Sequence, residues 1–198
     1  MSYSWTNIAA APAADADGYL LSTNMKVGAY TLNATVPTFG ARHVTCTRTV
    51  VEAADTPGTI VIVGKDLSGQ TITETLTPGA DGVLVTGTKF FASLTSATGV
   101  GWVIAGGNDT IVIGWDAQNA VVTGGGVFHG IVVNTTAAGA IVVTDSGGTI
   151  ATLKASIAEG FYGPFDVAFS GYLRVEPAAA SNITVLHSGS MPQSYAMS

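Results

Sequence analysis

The sequence has little charge and almost no cysteine. Charged residues make up 10% of its 198 residues, and Cys46 is the single cysteine. A disordered chain needs high charge with low hydrophobicity, and a coiled coil needs a helical repeat rich in Glu and Lys, so both classes are excluded. One cysteine cannot form a disulfide within the chain, and this composition is compatible with synthesis in a reducing compartment.

Basic residues are also scarce. Seven Lys and Arg residues stand against 13 Asp and Glu residues, and the net charge is −6. Proteins that bind nucleic acids neutralise phosphates with clustered Lys and Arg, whereas the seven basic residues here are scattered. We therefore expect no direct contact with nucleic acid and no docking on an anionic membrane.

Long apolar runs are missing as well, although hydrophobic residues make up 47% of the chain. No run approaches the roughly 18 residues that a membrane-spanning helix requires. The N-terminal residues include Asp15 and Asp17 and contain no basic leader, so they do not predict a secretory signal peptide.

What the chain does contain is a succession of short β-branched segments. Residues 42–50 alternate with period two, with Val44 and Cys46 on one face and His43 and Thr45 on the other. Turn signals such as residues 78–82 separate such segments about every eight to twelve residues, which is the spacing of a sandwich or barrel. The sequence therefore predicts an all-β fold of antiparallel β-sandwich modules, either jelly-roll or immunoglobulin-like.

Two parts of the sequence repeat the same order of features. Residues 60–76 and 141–153 both read as a strand, a turn containing Asp and Gly, and a second strand. Each is followed by a strand that bears Phe, and each copy closes on a similar strand, at residues 108–113 and 181–186. Two tandem modules are the preferred interpretation, and a single larger sandwich with two similar hairpins is the alternative.

This pattern divides the chain into three parts. Residues 1–40 are predicted to form an irregular N-terminal arm with a first strand, residues 41–120 the first module and residues 121–198 the second. The arm is expected to be irregular because the Ala-rich residues 9–18 have no sustained period. Such an arm would clasp a neighbouring subunit through its apolar anchors, which are Trp5, Ile8, Tyr19, Leu20 and Leu21.

Several strands are apolar on both faces. A lone antiparallel sandwich alternates apolar and polar residues, and a free monomer avoids large apolar patches. Either these strands are central and covered by the rest of the chain, or their outer faces contact another subunit or a parent surface. The low content of charge favours the second interpretation. The candidate residues are Ile111, Ile113, Ile131 and Val133.

No pattern predicts a reaction centre, a metal site or a cofactor site. His43, His129 and His187 lie in three separate predicted strands, without the short spacings of metal ligands. Cys46 shares its face with apolar residues, which favours a small buried side chain over a nucleophile. We therefore predict no catalytic residue, no metal and no cofactor.

Aromatic residues are the remaining candidates for binding. Exposed aromatic rings on β-sandwiches stack on sugars, and five residues have that potential: Trp5, Trp102, Trp115, Tyr162 and Tyr172. Trp102 and Trp115 lie within apolar segments, so anchoring in a core or an interface is the preferred interpretation for them.

The order and composition of these segments resemble a known class of protein. The Thr-rich strand pair from Gly58 to Leu76, followed by residues 85–91, resembles structural proteins of tailed-bacteriophage virions, and residues 130–139, 150–154 and 165–175 are similar in style. The resemblance covers roughly residues 42–188 and involves head decoration (cement) proteins and related fibre or tail modules. It rests on composition and strand order and includes no diagnostic motif.

The resemblance implies a non-enzymatic protein on the capsid surface of a virion, made in the host cytoplasm. Its partner would be the major capsid protein, whose subunits it would bridge and stabilise, and it would often be a homotrimer. The alternative is a head or tail fibre module that binds a receptor or a glycan.

Overall fold

β-Branched and aromatic residues pack well on a pleated surface, and they form strands along most of this chain. The computed structural model describes residues 3–8, 13–37, 40–177 and 181–189. Sixteen strands and no helix are present in these ranges, and the sheets are antiparallel. The predicted all-β fold of the sandwich type is confirmed.

The first eight strands are β1 (Ser4–Ile8), β2 (Asp15–Asn24), β3 (Gly28–Ala29), β4 (Ala41–Thr49), β5 (Thr59–Lys65), β6 (Thr71–Leu76), β7 (Leu84–Phe91) and β8 (Ser93–Val100). The other eight are β9 (Thr110–Thr123), β10 (Gly126–Thr135), β11 (Ile141–Asp145), β12 (Gly148–Leu153), β13 (Gly160–Tyr162), β14 (Val167–Phe169), β15 (Tyr172–Pro177) and β16 (Asn182–Gly189).

The chain divides into two compact units. One consists of Ala13–Asn119, and the other combines Met1–Pro12 with Ala120–Ser198. We call them the central unit and the terminal unit. The long strand β9 contributes residues 110–119 to the central unit and residues 120–123 to the terminal unit.

The central unit is built from two groups of strands around one core. Strands β3-β8-β5-β6 form one sheet, while β4 pairs with β7 and β9 pairs with β4 and β2. Ile60 and Ile62 of the first group are buried in one cluster with Tyr19, Ile111 and Ile113 of the second. Side chains from two sheets thus meet in a shared core, which defines a sandwich.

The terminal unit is also built from two groups of strands. Its first sheet has the order β1-β16-β10-β13, with β14 also paired to β10. Its second consists of β12-β11-β15, with residues 120–123 of β9 paired to β15. Ile131 and Val185 of the first sheet are buried, as are Ile141 and Val175 of the second.

The two units share one strand order. The order β2-β9-β4-β7 in the central unit corresponds to β1-β16-β10-β13 in the terminal unit, and β8-β5-β6 corresponds to β15-β11-β12. The two similar hairpins noted in the sequence, β5–β6 and β11–β12, occupy equivalent places in this order. Their turns also use the same chemistry, because Asp66 and Asp145 each accept two backbone N–H groups of the turn that they begin.

The N-terminal region is more regular than the sequence predicts. It contains β1 and β2, and these strands pair with β16 and β9. Both partners are far away along the chain, so no local period marks the pairing. Residues 9–12, at the start of the Ala-rich segment, lie outside the described residues. The glycine run at residues 124–126 joins β9 and β10, and Gly124 adopts a φ of 95° that favours glycine.

Candidate functional site

Seven of the nine residues proposed as contacts are buried by this chain itself. They are Ile8, Tyr19, Leu20, Ile111, Ile113, Ile131 and Val133. A side chain that the chain already covers offers no area to a partner. The contact role therefore stays a prediction for the two exposed residues, Trp5 and Leu21.

Two surfaces present exposed apolar side chains on well-ordered supports. The first is a pair of loops in the central unit, between β4 and β5 and between β8 and β9. Val51 belongs to one loop, Val103 and Ile104 belong to the other, and each is more than half exposed. We call these three side chains, with the two loops that carry them, the apolar loop pair.

Two buried carboxylates hold the loop pair in place. Asp109 Oδ1 accepts hydrogen bonds from the backbone N–H groups of Val51 and Glu52 at 2.9 and 3.2 Å. Asp55 Oδ1 accepts from Ala105 N at 2.7 Å, and its Oδ2 accepts from Asp109 N at 3.3 Å. Burial raises the pKa of Asp55, but these backbone N–H groups outweigh burial, so the pKa lies below its ordinary value.

The second surface is one face of the sheet β1-β16-β10-β13 in the terminal unit. Period two places Ile183, Val185 and His187 of β16 on the buried face, and Thr184 and Leu186 on the other. We call the latter the open face.

An aromatic stripe crosses the open face from strand to strand. Trp5 of β1 pairs with Leu186 of β16, which pairs with Gly130 of β10. The ring of Phe161 on β13 lies over Gly130, because a Cβ there would be 2.7 Å from its Cε2 atom. Trp5 is 60% exposed and Phe161 is 51% exposed. Two exposed rings therefore flank a half-buried leucine, with a glycine that makes room for one of them.

A cluster of amides borders the stripe on one side. The Nδ2 groups of Asn7 and Asn134 both donate to Asn182 Oδ1, at 2.9 and 3.0 Å, and both also donate to Thr184 Oγ1. These bonds orient the amides, and Asn7 and Asn134 are exposed. The carbonyl oxygens of Asn7 and Asn134 make no hydrogen bond to any described residue. We call these four residues the amide cluster.

A row of three polar residues lies on the other side of the stripe. His129 Nε2 is 3.1 Å from Ser188 Oγ, and His129 Nδ1 is 2.6 Å from Asp166 Oδ1. The ring of Tyr3 meets the imidazole edge-on at 4.9 Å. The loop that carries Asp166 is fixed to β10 by a hydrogen bond from Phe165 N to His129 O.

The order Ser, His, Asp is the one that hydrolases use to activate a serine. In that arrangement the aspartate is buried and the serine faces the substrate. Here the accessibility is reversed, because the Asp166 side chain is 62% exposed while Ser188 and His129 are buried. The geometry fits a structural role instead, in which the hydrogen-bonded His129 supports the ring of Tyr3 and the loop of Asp166.

Sequence reasoning missed this row because its three members come from β10, β16 and a loop. His129 and Ser188 meet only through the pairing of β10 with β16, where the register is irregular between Phe128 and Gly130. No short spacing could have signalled that contact.

The other two histidines and the cysteine are not members of the row of Ser188, His129 and Asp166. His187 lies on the buried face with Nε2 3.1 Å from Thr6 Oγ1, and burial lowers its pKa, with the nearby His129 adding to the effect. His43 pairs with Asp116 at 3.0 Å in the central unit. Cys46 is buried as predicted. Within the described ranges, no three His, Cys, Asp or Glu side chains gather in a group that could hold a metal ion.

The three tryptophans differ in their exposure to solvent. Trp102 and Trp115 are buried in the core of the central unit, which confirms their predicted anchoring role. Trp5 is the tryptophan that remains exposed.

Comparison with known proteins adds little. No family model matches the chain, and no curated protein matches its sequence. The solved structures that resemble it include one described as "cAMP bound PfPKA-R (141-441)", at 7% sequence identity and a TM-score of 0.21, covering 85% of this chain and 70% of that one. A likeness of that size supports no argument about fold or function. The described ranges also contain no helix of the length and hydropathy needed to cross a bilayer.

Proposed function

We propose that this chain is a non-enzymatic structural protein of a tailed-bacteriophage virion. It decorates the outside of the capsid and stabilises it by bridging subunits of the major capsid protein. The resemblance in composition and strand order supports this proposal, as does the low content of charge. The protein is made in the host cytoplasm and assembles on the shell as a homotrimer.

The apolar loop pair is the observation that carries the proposal. Val103 and Ile104 are exposed in a loop whose backbone donates hydrogen bonds to the buried carboxylate of Asp55. Loops presented by a rigid scaffold are typical binding elements, and pre-ordering lowers the entropy cost of association. Apolar side chains exposed on such a support favour a protein partner over solvent.

The test uses bare capsid shells and purified protein. We expect the protein to sediment with the shells and to raise the temperature at which filled particles release their genome. The double variant Val103→Ser/Ile104→Ser should bind more weakly. The matched control is Val83→Ser/Leu84→Ser, which changes another adjacent pair of exposed apolar residues in the same unit.

Two outcomes would contradict the proposal. Decorated and bare particles could release their genome at the same temperature, or the protein could be found on the tail alone. Equal loss of capsid binding in both double variants would show that the apolar loop pair is not the specific contact surface. Sedimentation of the purified protein tests the trimer.

The second candidate function is binding of a receptor or glycan as a fibre module. The specific observation in its favour is the open face, where exposed aromatic rings lie beside oriented amides.

A further inference from the structure

We propose that the open face of the terminal unit is a binding site for a neutral oligosaccharide. The ligand lies along the aromatic stripe of Trp5, Leu186 and Phe161 and is held by the amide cluster. This inference goes beyond capsid decoration and does not depend on it. It names the site and the ligand class for the second candidate function.

The shape of the stripe fits a flat ligand. Neighbouring strands lie about 4.8 Å apart, so the two strand spacings from Trp5 to Gly130 amount to roughly 10 Å. Phe161 covers Gly130 and so provides the second ring at the far end of this distance. Sugar rings have faces of C–H groups that pack on aromatic rings, and two separated rings can each stack on a different sugar of one oligosaccharide.

The polar groups fit hydroxyl groups. Asn7 follows Trp5 by two residues on the same face of β1, which places it about 7 Å away along the strand. Its amide and that of Asn134 are already fixed by bonds to Asn182 and Thr184. A sugar hydroxyl can donate to the carbonyl oxygens of these two amides without a large cost of ordering them.

The lack of basic residues on the open face favours a neutral ligand over an acidic one. Strands β1, β16, β10 and β13 contain no Lys or Arg. Among the described residues near the stripe, His129 bonds to the carboxylate of Asp166, and the ring of Tyr3 packs against His129. Among the described residues of these strands, an acidic glycan would meet no Lys or Arg, and it would meet the exposed carboxylate of Asp166. A neutral oligosaccharide avoids this repulsion.

The first experiment is a screen of the purified full chain against immobilised oligosaccharides. The neutral probes are oligomers of glucose, mannose, galactose and N-acetylglucosamine, and the acidic probes are oligogalacturonate and sialylated lactose. We expect binding to at least one neutral series and none to the acidic probes. Failure to bind any neutral series, or preference for an acidic probe, overturns the proposal.

The second experiment locates the site. Because Trp5 is exposed while Trp102 and Trp115 are buried, quenching of tryptophan fluorescence by acrylamide reports mainly on Trp5. The bound neutral oligosaccharide should protect this fluorescence. Trp5→Ala and Phe161→Ala should each weaken binding about tenfold or more, which corresponds to the loss of one well-placed contact.

Controls distinguish the site from general apolar adhesion and from instability. Trp5→Phe should retain part of the affinity, and Ile104→Ala, at an exposed apolar residue of the central unit, should bind as the wild type does. Each variant should keep its thermal midpoint, because the substituted side chains are exposed. Unchanged binding in Trp5→Ala, or protection of Trp5 by self-association without sugar, overturns the proposal. Neither result depends on capsid binding.

Discussion

Arg48 Nε lies 2.8 Å from Asp109 Oδ2, and both side chains are buried in the central unit. The other oxygen of the same carboxylate accepts the backbone N–H groups of Val51 and Glu52. Asp109 therefore connects strand β4 to the loop pair that carries the exposed Val103 and Ile104. The same carboxylate thus joins a buried ion pair to the backbone of the loop that carries Val51.

Asp109→Ala should destabilise the protein by about 3–5 kcal/mol, because it leaves the Arg48 guanidinium buried without its ion partner. Urea unfolding measures the free energy. Arg48→Met/Asp109→Leu should recover part of the loss, since a buried pair can be replaced by apolar residues of similar volume. Asp81→Ala, which removes one exposed bond to Val50 N, is the control and should cost only about 1 kcal/mol. Equal losses in Asp109→Ala and Asp81→Ala would contradict the role of the ion pair.

Stability should fall in mild acid because of His187. Burial holds its folded pKa below the ordinary value of about 6.5, so the unfolded chain binds the proton more readily. The stability that this shift contributes to the free energy of unfolding is fully present above the pKa of the unfolded chain. It is lost as the pH falls from that value towards the lower pKa of the folded protein. Urea midpoints between pH 8 and pH 5 measure this loss. His187→Gln should reduce the slope, while Thr6→Val, which leaves the imidazole buried, should retain it. An unchanged slope in His187→Gln would show that another group controls the acid response.

No ester or peptide hydrolysis is expected from Ser188. The carboxylate that would support His129 is exposed and the serine is buried, which is the reverse of a working triad. The measurement is turnover of p-nitrophenyl esters, together with labelling by a fluorophosphonate, in the wild type and in Ser188→Ala. Labelling of the wild type that disappears in both Ser188→Ala and His129→Ala would falsify this prediction and make the chain an enzyme.

Cys46 should be unreactive in the folded protein. Burial raises the pKa of its thiol to about 11, so little thiolate exists at pH 8. Its reaction with a thiol reagent such as dithionitrobenzoate should follow the rate of unfolding and accelerate in urea. Rapid, urea-independent reaction in the native protein would mean that β4 opens readily.

Much of the fold could be predicted from local pattern. The strands at residues 59–65, 71–76 and 141–145 lie within a residue or two of the expected positions, because period two and turn residues act over short distances. Strand pairing could not be predicted where the two strands are far apart along the chain. The pairing of β1 with β16 joins Ser4 to His187, and no local signal connects residues so far apart along the chain.

The candidate sites show the same division. Trp5 was recognisable as an apolar anchor and as an aromatic able to stack on sugar, but its neighbours Leu186 and Phe161 on the open face were not. The row of Ser188, His129 and Asp166 was also invisible, because it depends on an irregular register between β10 and β16.

The sequence by itself determined the all-β class, the two similar hairpins and the burial of Cys46, and it predicted that Trp102 and Trp115 anchor a core or an interface. These properties follow from side-chain chemistry and a local period, which act over short stretches of the chain and need no contact between distant residues. Only the tertiary structure decided that Ile111, Ile113, Ile131 and Val133 are core residues while Trp5 and Phe161 are exposed. Period two separates the two faces of a strand, but which face is covered depends on the sheet that packs against it.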